Sequence, residues 1–121
     1  MASVKKLMAA GLSSLSANSA AGQISPELTA TGSTQGTALL LNSDINIFGT
    51  VALNTGAILN PDYESCFIFN GGAATLSLYP PTGGSIDGGT TNSAVSIVSG
   101  AKVLVFRGNT SAPDYVTLKG A

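Results

Sequence analysis

The stretch LYPPTGGSIDGG, residues 78–89, gathers two glycine pairs, a serine and an aspartate in one loop, the ingredients of a phosphate cradle. A Walker-type loop needs a lysine followed by serine or threonine at a helix start, and a dinucleotide turn needs GxGxxG opening a helix. Neither spacing occurs. The run GGSIDGGTTN has no lysine and leads into a β-type run, so no helix dipole backs the loop amides. Turn chemistry explains the stretch instead: Pro80 and Pro81 cannot donate to a ladder and end a strand, the glycines permit tight turns, and Ile86 anchors the loop to the core. The expected element is the tip of a hairpin.

Other reactive groups are as sparse. The chain has no histidine, the commonest general base and metal ligand. Its carboxylates are Glu27, Asp44, Asp62, Glu64, Asp87 and Asp114. Asp62 and Glu64 flank Tyr63 behind Pro61 in what reads as an exposed turn, and no DxDxDG loop gathers oxygens for calcium, which leaves Asp44 and Asp87 as isolated candidate ligands. No serine occupies a GxSxG elbow, and a serine nucleophile without histidine needs a lysine close by, whereas Lys102 begins a strand. Tyr63, Tyr79 and Tyr115 fall at strand ends or turns, where edge and corner roles are commoner than a sugar platform. Cys66, the sole cysteine, sits in the apolar run CFIF and reads as a buried thiol. No catalytic residue, cofactor or metal is expected, and neither is a small-molecule ligand.

Composition narrows the classes further. Hydrophobic residues make up 44% and charged residues only 9%, where about 25% charged is usual. The cations Lys5, Lys6, Lys102, Arg107 and Lys119 leave Leu7 to Ala101 without a basic side chain, so the chain lacks the basic cluster that a nucleic-acid groove requires. No run approaches the ~18 apolar residues of a membrane span. With polarity supplied by Ser, Thr, Asn and Gly and a net charge of -1, little repulsion opposes association between copies. The start MASVKKLMAAGLSSLSANSAAG resembles a secretory leader superficially, but serines interrupt its apolar part and cleavage is not expected.

The elements that would position these residues are mostly strands. Val4, Leu7, Met8, Leu12 and Leu15 recur at helical spacing, with Lys5, Lys6, Ser13 and Ser16 elsewhere, which predicts a short amphipathic helix whose stripe must dock on this subunit or another. Residues 18–36 read as an extended arm with one strand at residues 27–31. Short β runs follow at 37–41, 45–53, 65–69, 75–79, 94–98, 102–107 and 114–119, bounded by Gly, Asn, Asp or Pro. Glycines in NGGAA and VSGAK predict sequential hairpins from residue 65 onward. The fold class is therefore all-β, an antiparallel β-sandwich or jelly-roll-like barrel with a short N-terminal helix and extended arm. Residues 1–36 form the helix and arm and residues 37–121 the β domain. CFIF and KVLVFR are apolar on both faces, so each is central in a sandwich or covered by another chain.

The blocks TALLLNSDINIFGTVALNTGAIL, SCFIFNGGAATLSLYPPTGGSIDGG and AVSIVSGAKVLVFRG, with the leader KKLMAAGLSSLSANSAAG, resemble small virion proteins of tailed bacteriophages. LYPPTGG followed by IDGG is the most distinctive phrase, and the resemblance is weakest between Gln23 and Gln35. It implies a non-enzymatic capsid decoration or cement protein, or a head-fibre base, made in the host cytoplasm and placed on the phage head surface. The implied partners are further copies of itself, a trimer in first place, and the major capsid protein. The alternative is a tail-fibre or receptor-binding β module. Such contacts bury on the order of 1,600 Å² through apolar residues, which points to Val4, Leu7, Met8, Leu12, Leu15, Phe67, Phe69, Val103 and Val105 as interface candidates.

Overall fold

The computed structural model describes residues 24–108 and 113–119. Among these the chain forms ten strands and no helix: β1 (Leu28–Thr29), β2 (Leu39–Leu40), β3 (Ile45–Thr50), β4 (Thr55–Ile58), β5 (Ser65–Asn70), β6 (Leu76–Tyr79), β7 (Ser85–Ile86), β8 (Val95–Ile97), β9 (Lys102–Arg107) and β10 (Asp114–Lys119). A six-stranded sheet has the order β1-β3-β5-β9-β10-β7, and a four-stranded sheet the order β2-β4-β6-β8. The expected N-terminal helix, with Val4, Leu7, Met8, Leu12 and Leu15, lies outside the described residues.

The first six strands alternate between the sheets, and the first four each pair in parallel with the strand one coil later: β1 with β3, β3 with β5, β2 with β4 and β4 with β6. Leu28 lies opposite Phe48 and Ile45 opposite Phe67, so one coil takes about twenty residues, the repeat length of a solenoid. Antiparallel strands then close the stack, β9 against β5 and β8 against β6. A hairpin adds β10 to β9, and β7 joins the far side of β10 in parallel.

The all-antiparallel expectation is thus corrected to mixed sheets, and the reason lies in the turns. NGGAA is a corner between sheets: Gly71 N–H donates to Phe48 O at 2.8 Å and Ala74 N–H to Val51 O at 3.1 Å, so the corner stacks on the corner before it. A Cβ on Gly72 would lie 2.4 Å from Val51 N, an approach that only glycine allows. VSGAK is a corner too. Gly100 takes the expected positive φ of 83°, and its N–H donates to Asn70 O at 2.7 Å.

Two strands escaped the sequence pattern. TGAI forms β4, where Gly56 lets Ser77 O approach to within 2.7 Å of where a Cβ would sit, so the residue that reads as a turn signal is a packing requirement. The stretch LYPPTGGSIDGG is not a hairpin tip; it carries the chain from β6 in one sheet to β7 at the edge of the other. Ile86 is buried there as expected. The β structure also starts ahead of residue 37. Ile24 bridges Ile45, Thr31 bridges Gly56 and Ala30 is buried, because a coil needs both its strands to satisfy its backbone.

Both sheets turn one face to a single core. Phe48, Ile68, Val103 and Val105 from the larger sheet meet Ala57, Leu76, Leu78 and Ile97 from the smaller, with Leu41 and Leu59 between. Asn70 is fully buried among them and works as a pin: its Nδ2 donates to Ala74 O at 2.9 Å and to Ile97 O at 2.8 Å, and its Oδ1 accepts from Gly72 N–H at 3.0 Å. Replacing it removes these three hydrogen bonds, which tie the corner to β8. Asn70→Ala is expected to lose about 2–4 kcal/mol of stability, read from the urea midpoint. An unchanged midpoint would show that the corner does not depend on this side chain.

Candidate functional site

The described residues bring no set of three or more His, Cys, Asp or Glu side chains together as a metal site would require. Asp87 instead supports structure. At φ 55° its carboxylate accepts from Thr117 N–H at 2.7 Å and from the Thr117 hydroxyl, which fastens the 82–92 loop to β10. Tyr63 donates its hydroxyl to Asn42 O at 2.7 Å and Tyr79 to Ser33 O at 3.1 Å, so both tie loops. Arg107 Nη1 donates to Pro61 O at 3.3 Å, close to the Asp62–Glu64 turn.

The feature that stands out is the outer face of the six-stranded sheet. Paired positions share a face, and the pairs Ile24 with Ile45, Ile45 with Phe67, Phe67 with Leu104 and Leu104 with Leu118 make one apolar row across five segments. Beside it run Phe106 with Val116 and Ile47 with Phe69. Leu118 is 63% exposed, Val116 48% and Ile24 62%. Ionised groups border the rows: Lys102 places Nζ 5.4 Å from the Phe69 ring centre, and the Glu27 side chain lies over Gly49. A second exposed apolar pair, Leu53 at 79% and Val98 at 58%, sits on corners that flank the NGGAA corner.

Of the interface candidates, Phe67 and Phe69 lie half-buried on this outer face. Val103 and Val105 do not. They alternate with Leu104 and Phe106 along β9 and are buried in the protomer core, a correction that follows from the two-residue period of a strand. Sequence reasoning missed Leu104, Phe106, Val116 and Leu118. The two-sided apolar character of KVLVFR signalled an outer face, but the register alone says which residues occupy it.

Two buried groups carry shifted proton affinities. Burial, reinforced by the charge of Asp44, pushes the Cys66 thiol from 9.0 up to about 12. Tyr115 is also raised, chiefly by burial, against a lowering pull from Arg107, and its hydroxyl has no hydrogen-bond partner among the described residues. Compared with family models, with curated proteins and with solved structures, the chain matches none.

The unfolded chain releases the Cys66 proton first as pH rises past 9.0, while the folded chain holds it until about 12. This stability is whole below pH 9.0 and falls between pH 9.0 and about 12, by up to about 1.4 kcal/mol per pH unit. Urea melts on either side of pH 9.0 are expected to show the loss, and Cys66→Ala to flatten it. A slope identical in the two proteins would place the thiol in water. Tyr115→Phe removes a buried hydroxyl that has no partner among the described residues and is expected to leave the thermal midpoint unchanged or higher. A loss of more than about 1 kcal/mol would mean that the hydroxyl is bonded.

Proposed function

We propose that the chain is a non-enzymatic structural protein of a tailed-bacteriophage virion, a decoration or cement protein that binds the outer head surface and stabilises it. It acts as a homo-oligomer, a trimer in first place, with the major capsid protein as its other partner, and is made in the host cytoplasm. Its two sheets around one core are read as a β-sandwich wound from coils. The observation that carries this reading is the pair of separate apolar surfaces, the outer face at Phe67, Leu104 and Leu118 and the corners at Leu53 and Val98, on a chain with 9% charged residues. A shell component needs one contact with its siblings and another with the shell, and exposed apolar patches mark such contacts. The phrases LYPPTGG and IDGG add the resemblance to small virion proteins.

Immunogold labelling of purified phage particles with antibody to this chain is expected to decorate the head. Label on the tail tip would overturn the head assignment in favour of a receptor-binding module, and particles free of label would end the virion reading. Sedimentation of the pure protein is expected to give a closed oligomer; a monomer at every concentration would remove the self-contact.

A further inference from the structure

We infer that the outer face of the six-stranded sheet is the contact between copies of this chain, arranged about an axis that runs along β5. The row Ile24, Ile45, Phe67, Leu104, Leu118 has the same character read from either end. The exposed Ile24 and Leu118 stand two strands from Phe67 on opposite sides, and the half-buried Ile45 and Leu104 stand one strand from it. Turning a second copy about that axis therefore sets Ile24 of one copy against Leu118 of the next and Ile45 against Leu104, with Phe67 at the centre, so that each aliphatic side chain meets one of its own size. A partner of another sequence has no use for this symmetry. A dimer and the trimer placed first above share the pairing, because in both the β1 side of one face meets the β10 side of another.

Charge obeys the same symmetry. Glu27, over Gly49, lies on the β1 side of the axis, and Lys102, with its Nζ 5.4 Å from the Phe69 ring centre, lies on the β9 side. Both stand beyond the apolar row in the same direction along the strands, since Ile47 and Phe69 follow Ile45 and Phe67 while Lys102 precedes Leu104. The axis thus carries the carboxylate of one copy to the ammonium of the next. Such a rim pair fixes the register of a contact more than it strengthens it. Area points to the same occupant. The apolar side chains of the face expose on the order of 600 Å², so a pair of copies buries about 1,200 Å², the lower bound for a specific contact. The two corner side chains, Leu53 and Val98, offer far less, which makes the sheet face the sibling contact and leaves the corners open to other partners. The inference rests on the self-contact in the reading above and not on the virion.

Disulfide trapping in the full chain tests it, with Ile24→Cys and Leu118→Cys made as separate proteins. Within one chain the two positions stand four strand spacings apart, about 19 Å, which no disulfide bridges. Cys66 is buried and does not compete. When the two variants are unfolded together, refolded and oxidised, a disulfide joining position 24 of one chain to position 118 of another is expected, and each variant alone is expected to form none. A variant that links to itself, or an oligomer in which the mixed link never forms, would overturn the inference and leave self-association standing. Sedimentation reads that second point: a monomer at every concentration would remove the self-contact altogether. Leu118→Asp, at an exposed position outside the core, is expected to weaken association roughly tenfold or more, whereas Leu53→Asp is expected to leave it unchanged. Undiminished association of Leu118→Asp would overturn the inference too. Glu27→Lys is expected to weaken association, and adding Lys102→Glu to restore it. Circular dichroism checks that each variant folds. Head labelling of virions reads the virion assignment separately, so one can fail without the other.

Discussion

Backbone pairing between successive coils is the constraint on which the rest of this molecule depends. A strand that leaves one sheet for the other cannot bond to its sequence neighbour, so its amides and carbonyls are satisfied only one coil away, β3 by β1 and β5, β4 by β2 and β6. The corners obey the same demand, each donating to the one before it, as Ala74 does to Val51. Such a stack has no natural end. Here it ends because β8 and β9 return antiparallel to β6 and β5 and cover the last coil.

That arrangement determines where polar and apolar groups can go. Corners bring backbone into the interior, which is why a carboxamide rather than an aliphatic side chain stands at Asn70, and why Gly72 packs against Val51. Alternation then sends Val103 and Val105 inward and Leu104 and Phe106 outward from one apolar run. Phe106, Val116 and Leu118 of those outward rows are exposed among the described residues.

Much of the molecule was legible in the sequence. The runs at 45–53, 65–69, 75–79 and 102–107 carry branched and aromatic residues between turn formers, and each contains a strand. Ile86 and Cys66 were read as buried, and they are. What escaped was connection. Gly-rich corners look the same whether they close a hairpin or pass the chain to another sheet, since both need positive φ or close backbone approach. TGAI escaped because its glycine and alanine lack the branched side chains that mark strands, although their smallness is what lets β4 lie against β6.

By itself the sequence determined local character: short β segments, turn positions, a buried thiol, the lack of histidine and of a basic cluster, and a low charge content. These follow from composition and from the two-residue period, which are properties of neighbours along the chain. The tertiary structure decided that most pairings are parallel, that Val103 lies inside while Leu104 lies outside, and that Ile24 and Leu118 end one apolar row. Those facts concern residues tens of positions apart, and only the hydrogen-bond register between coils brings them onto one face.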